Sequence, residues 1–161
     1  MLGGRQILVA ANGFARRLLP DLQVTPGRGY IFVTESIDNM PWRGIFHHDR
    51  GYIYFRNVGD RLLLGGARNQ AEDEETTDQF GINTRIKDYL VKFASETLKL
   101  PKGWQIEQEW SGIMGFTETK TPIVKRVNEA VFVAAGLSGM GIAIGMKVGE
   151  EAVELLDSKS E

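Results

Sequence analysis

Glycines 136, 139 and 141 lie close together in Gly136-Leu-Ser-Gly-Met-Gly141, between the apolar run Val131-Phe-Val-Ala-Ala135 and a helical stretch that reaches about Leu156. A strand that stops at Ala135, a short glycine turn and a helix start leave unpaired backbone N–H groups beside whatever sits at the strand end. Such a place suits an anionic or electron-rich ligand. The missing Cβ atoms allow close approach and unusual φ angles, next to a helix terminus of partial positive charge. The pattern is not the phosphate-gripping fingerprint. A G-x-G-x-x-G match starting at Gly139 needs glycine at 144, where Ile144 stands, and the chain is too short beyond it for a second strand with an acidic ribose ligand. Spacing alone equally allows a tight strand-to-helix turn that holds nothing. Gly145 and Gly149 continue the pattern into the helix. Each costs roughly 1 kcal/mol relative to alanine, so close packing against a sheet is expected to compensate, with direct ligand contact as the second reading.

Tyr52, Tyr54 and Arg56 alternate along one strand, opposite Ile53 and Phe55, and so share a face. That face could line a pocket or form a surface ladder. His47 and His48 fall in the preceding turn without other ligand types at suitable spacing, so no metal site is expected. Glu72-Asp-Glu-Glu75 reads as a solvated acidic loop. The chain has no cysteine, which excludes thiol nucleophiles, disulfides and cysteine metal sites; a reducing cytoplasm is compatible with this and is the expected location.

The elements that would position these residues fall into two kinds. Ile7-Leu-Val-Ala10 is a short buried strand, followed by the Asn12-Gly13 turn and a helix carrying Phe14, Leu18 and Leu19 that Pro20 stops. Residues 30–35, 51–56 and 61–65 read as strands, with a hairpin turn within Asn57 to Asp60. Asn83 or Thr84 caps a helix whose apolar positions Ile86, Tyr89, Leu90, Phe93, Ala94, Thr97 and Leu98 recur at three- and four-residue intervals until Pro101. Residues 104–110 alternate as a half-buried strand that continues to Thr117 past a glycine-marked irregularity. The fold class expected is mixed α+β and α/β. Residues 25–118 form an antiparallel sheet with one main helix, inserted between segments 1–24 and 119–161 that belong to a buried α/β layer.

The composition fits one globular protein: 161 residues, 42% hydrophobic, formal net charge −2. Near-cancelling charge offers no basic field for nucleic acid or an acidic membrane surface. No apolar stretch approaches a membrane span, and Met1-Leu-Gly-Gly-Arg5 runs straight into the first strand with no visible targeting segment.

The stretch VFVAAGLSGMGIAIGMKVGEEAVELL closely resembles the C-terminal flavin-binding segment of FAD-dependent oxidoreductases of the D-amino-acid oxidase type. ILVAANGFARRLLPDL resembles the strand and helix that precede that family's substrate domain, and VTPGRGYIFVTE the first strand of that domain. GYIYFRNVGDRLLLGGA resembles its central hairpin, and WSGIMGFTETKTPIV its return segment. The likeness runs in order over nearly the whole chain.

The resemblance implies that residues 25–118 are the substrate (cap) domain and that 1–24 and 119–161 are the remnant of an FAD-binding domain. It implies that Gly136, Leu137, Ser138, Gly139, Met140, Gly141 and Ile142 lie along the isoalloxazine ring, the backbone from Leu137 to Ile142 supplying the contact, with Ala11, Asn12 and Gly13 at the strand-end turn near the cofactor. On the substrate side it implies Tyr52, Tyr54, Trp110 and Met114. The substrate implied is a small-molecule amine or amino acid, oxidised at a C–N bond by hydride transfer to flavin, and no residue is marked as a catalytic acid or base.

Two departures limit the expectation. Amino-acid-oxidising members carry at the position of Met114 an arginine that holds the substrate carboxylate, which methionine cannot do; an amine whose charged end lies further from the reacting carbon suits this pocket better. The G-x-G-x-x-G half that grips ADP is absent before Ile7, so the chain by itself is expected to bind FAD weakly and to be inactive. It is read as a truncated or excised portion of a flavoenzyme, as one subunit of a split flavoenzyme whose partner supplies the missing half, or as a non-enzymatic binding module that uses the hairpin or an exposed sheet edge; that edge is open to the missing ADP-binding half or to self-association. Electron acceptor and oligomeric state are not legible.

Overall fold

The computed structural model describes residues 4–158. Residues 1–3, where the expectation about a targeting segment partly falls, lie outside the described residues. The chain forms two compact units: an outer one built from the described residues up to Gly27 and from Ile113 onward, and a middle one, Arg28–Gly112. The second crossing thus comes after residue 112 rather than 118, which assigns Met114 and Thr117 to the outer unit.

The outer unit contains β1 (Ile7–Val9), a single 3-10 turn (Asn12–Phe14) and α1 (Ala15–Leu18) before the chain enters the middle unit along β2 (Thr25–Thr34). The middle unit adds the hairpin strands β3 (Ile45–His48), β4 (Ile53–Val58) and β5 (Arg61–Gly66), then α2 (Thr84–Lys92), and leaves along β6 (Ile106–Phe116). The outer unit is completed by β7 (Ile123–Arg126), β8 (Val131–Ala135) and α3 (Gly141–Asp157).

In the middle unit the sheet order is β3-β4-β5-β2-β6, with β2, β3, β4 and β5 paired antiparallel. The β4–β5 turn is two residues long, because Val58 pairs with Arg61, and Gly59 takes the positive φ it needs. Alternation sends Tyr30, Phe32, Ile53, Phe55, Leu62 and Leu64 to one face, where they bury Ile86, Leu90, Phe93 and Ala94 of the helical segment. Each such aliphatic or aromatic side chain contributes about 1.5–3 kcal/mol on burial. The Asn83 side chain accepts from the Arg85 N–H at 3.0 Å and so caps α2. Beyond Lys92 the helix widens into one π turn, Phe93–Thr97, closed by the Leu98 N–H on the Phe93 carbonyl. Strand β6 is continuous through Gly112, without the break expected there. His47 and His48 lie on the edge strand β3 rather than in a turn, opposite Tyr54 and Ile53. Short apolar content hid that strand.

In the outer unit β8 is central. It pairs parallel with β1 (Ile7 opposite Val131, Val9 opposite Val133) and antiparallel with β7 (Ile123 opposite Ala135). Val9, Ala15, Leu22, Val24, Val133 and Ala135 form its core, and α3 lies on β7 and β8 with Val148 and Ala152 buried. The expected close packing of Gly145 and Gly149 is not made among the described residues, since a Cβ at either would meet no atom within 4 Å. Gly149 instead joins Ile142, Met146 and Val153 on an exposed apolar face, with Ile142 104% and Met146 82% exposed. Among the described residues no helix is long and apolar enough to cross a membrane.

Candidate functional site

The glycine loop is held by its own unit before any ligand is considered. Asn12, at the end of β1, has φ +42, a left-handed conformation that asparagine tolerates better than other residues with a side chain. This aims its Oδ1 at the loop, where it accepts from Gly136 N–H at 3.0 Å and Leu137 N–H at 3.2 Å. Beyond these, the Ser138 N–H donates to the Gly115 carbonyl at 2.8 Å, and the Ser138 hydroxyl accepts from the Thr117 N–H at 3.3 Å. The Met140 N–H closes back on the Leu137 carbonyl at 2.8 Å. Gly136, Ser138 and Gly139 all have positive φ, so three of four consecutive residues are left-handed.

Two glycines outside the loop make this packing possible. A Cβ on Gly13 would stand 2.6 Å from the Met114 carbonyl oxygen, and one on Gly115 would stand 2.7 Å from Asn12 Oδ1. The backbone of β6 therefore lies directly against the Asn12-Gly13 turn.

These ties divide the expected cofactor residues. The N–H groups of Gly136, Leu137, Ser138 and Met140 are spent inside the unit, whereas those of Gly139, Gly141 and Ile142 have no hydrogen-bond partner among the described residues. Gly141 and Ile142 are the first residues of α3, a 17-residue helix, so their donors carry its terminal positive potential. Met140 and Ile142 are exposed, which leaves the outer side of the loop open. Met114 reaches it from β6, its Sδ 3.8 Å from where a Cβ on Gly139 would stand. Donors to an electron-rich edge, glycines that admit a flat ring, and an open face fit a flavin ring. They do not supply the grip that a pyrophosphate needs.

The other residues expected on the substrate side belong to the middle unit. Tyr54 sits on β4 opposite Gly65 of β5, and its hydroxyl lies 2.9 Å from where a Cβ on Gly65 would be; the ring fills the gap that the glycine leaves. Burial raises the Tyr54 pKa, so the hydroxyl stays a neutral donor. Tyr52 directly precedes β4 and is 46% exposed; Trp110 on β6 is 44% exposed. Glu109 next to Trp110 turns to the helix side, where Lys87 donates to it at 2.7 Å and the Tyr30 hydroxyl donates a short hydrogen bond. Trp110 therefore points to the other face, which it shares with Tyr54. With β5 and β2 between them, their strands are three spacings apart in the sheet. An open groove of about 700 Å³ beside Trp104, Ser95 and Leu100 contains neither of them.

Glu75 differs from the reading of residues 72–75 as a solvated run. It is fully buried, and its carboxylate accepts from Arg28 Nε at 3.0 Å, Arg28 Nη2 at 2.7 Å and Asn83 Nδ2 at 3.0 Å. A hydrophilic run of four gives no sign of which residue turns inward. Among the described residues no group of three or more His, Asp or Glu side chains could hold a metal ion.

The outer unit thus offers free donors at a glycine-lined helix start on a mixed sheet, and the middle unit is an antiparallel sheet with one main helix. Residues 3–155 match the model of the FAD dependent oxidoreductase family (DAO). The chain belongs to this family, whose cofactor is FAD. Solved structures agree in fold. Iminodiacetate oxidase from Chelativorans sp. BNC1 is 17% identical with a TM-score of 0.78, the match covering 99% of this chain and 44% of that one. Glycine oxidase from Geobacillus kaustophilus is 20% identical with a TM-score of 0.75, covering 97% and 42%. The deglycating fructosamine oxidase of Aspergillus fumigatus is 11% identical with a TM-score of 0.80, covering 100% and 43%. The chain thus spans less than half the length of these flavoenzymes. No curated protein sequence matched.

Proposed function

We propose that this chain is the substrate-domain and flavin-facing part of an FAD-dependent oxidoreductase that oxidises the C–N bond of a small amine or amino acid, and that it needs an ADP-binding part to work. The observation that carries this reading is the tied glycine loop with free N–H groups at Gly139, Gly141 and Ile142. When bound, FAD supplies the hydride acceptor. The chain's own residues hold and orient: the three N–H groups would be available as donors to an electron-rich ring, and the α3 terminus would add its potential. Asn12, Ser138 and Gly115 keep those donors in place.

Two surfaces fit the requirement for more protein. The outer edge of β1 has no strand neighbour among the described residues, and the α3 face carries exposed Ile142, Met146 and Val153 beside unfilled glycines. An ADP-binding half would complete both, whether on the same chain or on a partner chain.

The substrate we favour is an amine whose charged end lies away from the reacting carbon. Met114, beside Gly139, cannot form the paired hydrogen bonds that hold a carboxylate. The test is spectroscopic and kinetic. The purified chain alone should show no stoichiometric flavin absorbance and no amine oxidation, and a yellow, flavin-saturated chain would overturn the dependence on a second part. In the completed enzyme Met114→Arg should raise activity on simple amino acids relative to larger amines; efficient oxidation of glycine by the unmutated enzyme, with no gain from Met114→Arg, would rule out the substrate class.

A further inference from the structure

We infer that Asn12 is the positioning residue that sets the glycine loop in the ligand-free protein, fixing which of its N–H groups face inward and which are left for a ligand. Three demands meet at this position. The backbone is left-handed at φ +42, which disfavours most side chains. The side chain must accept from two adjacent N–H groups, those of Gly136 and Leu137, at 3.0 and 3.2 Å. A carbonyl oxygen with two lone pairs does so. Because both neighbours are donors, the amide must present Oδ1 and not Nδ2 to them. The oxygen also needs room, and Gly115 provides it: a Cβ there would come within 2.7 Å. Alanine satisfies none of these demands, and serine or threonine places its oxygen on a shorter arm. Aspartate meets all three but brings a charge.

The consequence reaches the free donors through the chain. With Gly136 and Leu137 pinned to Asn12, the Leu137 carbonyl accepts from Met140 N–H, and the Met140 carbonyl in turn receives Ala143 and Ile144 N–H at the start of α3. The Gly139, Gly141 and Ile142 N–H groups are the ones this relay leaves over. That the leftover donors serve a flavin rests on the function proposed above; that Asn12 selects them does not.

Amide hydrogen exchange, read residue by residue by NMR on this chain without cofactor, separates the two. The Gly136 and Leu137 amides should exchange slowly, and those of Gly139, Gly141 and Ile142 fast. Asn12→Ala should speed Gly136 and Leu137 by about ten-fold, the worth of one ordinary hydrogen bond, while the Leu62 and Leu64 amides of the middle unit keep their rates. Asn12→Asp should restore slow exchange, because a carboxylate accepts from the same pair. Rescue by aspartate is the outcome that general loosening would not produce. Where Asn12→Ala unfolds the outer unit, Asn12→Asp still decides: slow Gly136 and Leu137 amides support the inference, and fast ones overturn it. Fast exchange at both amides in the unmutated chain, or an Asn12→Ala variant with unchanged rates, would also overturn it. Failure of a completed enzyme to bind FAD, with this exchange pattern intact, would refute the proposed function and leave the role of Asn12 standing.

Discussion

Replacing Glu75 by alanine should cost the middle unit about 3–5 kcal/mol, the usual penalty for removing one partner of a buried ion pair. The magnitude follows from what is left behind. Glu75 is fully buried and accepts three hydrogen bonds, two from Arg28 and one from Asn83. The Arg28 side chain is only 15% exposed, so without the carboxylate its charge has little water to turn to. Glu75→Gln keeps the shape and one acceptor and should cost less, about 1.5–3 kcal/mol for hydrogen bonds to a charged group. Replacing Arg28 and Glu75 together by methionine should cost less than Glu75→Ala, because no buried charge is stranded. The assay is urea unfolding followed by tryptophan fluorescence. Trp42, Trp104 and Trp110 all lie in the middle unit, so the signal reports that unit. A Glu75→Ala loss below about 1 kcal/mol, the range of surface ion pairs, would refute the claim that this carboxylate is a buried anchor.

The pair Glu109 and Tyr30 predicts both ends of the pH profile. Hydrogen bonds from Lys87 and Tyr30 hold Glu109 below its ordinary 4.5, so its stabilisation is present above that value and lost as pH falls through the lowered one; Glu109→Gln should flatten the acid limb of fluorescence-monitored stability. Burial, then the bond to Glu109, raises Tyr30 above its ordinary 10.0, so its stabilisation is present below 10 and lost as pH rises through the raised value; Tyr30→Phe should flatten the alkaline limb. Gly13→Ala drives a Cβ to 2.6 Å from the Met114 carbonyl and should destabilise the outer unit by about 1–3 kcal/mol, seen as faster exchange of the Val133 amide. The Cβ of Gly145→Ala or Gly149→Ala would meet no atom within 4 Å among the described residues, so each should stabilise α3 by roughly 1 kcal/mol in thermal unfolding of the chain alone. The same two changes should weaken assembly with an ADP-binding part if that part packs on this face.

Local patterns carried much of the fold into view. The alternation of Ile53 and Phe55 against Tyr54 and Arg56, the Asn83 cap and the buried run at Val131 each produced the element expected, because each depends on near neighbours. What stayed hidden depends on distant ones. Glu75 looks like its acidic neighbours until Arg28, 47 positions away, turns it inward. Edge strand β3 exists because β4 pairs with it, not because Ile45 to His48 have a strong pattern of their own. The glycine loop was legible as a strand-to-helix turn, but which of its N–H groups stay unpaired was not. Asn12, separated from the loop by 124 residues, decides which N–H groups remain, and the Asn-Gly pair at a strand end was the one trace of it in the sequence. The close packing expected of Gly145 and Gly149 is not found among the described residues, because helix propensity tells that a glycine is costly and not what offsets it.

The central claim is that this chain faces a flavin it cannot retain alone. Its most direct test is to tag the chain, isolate it alone and as part of whatever longer product or complex its own locus yields, and record flavin absorbance per mole before and after adding an amine. The account predicts no bound flavin in the isolated chain, and in the larger assembly one FAD per chain whose absorbance bleaches on anaerobic addition of substrate. Stoichiometric flavin in the isolated chain, or a larger assembly with no flavin, would contradict it.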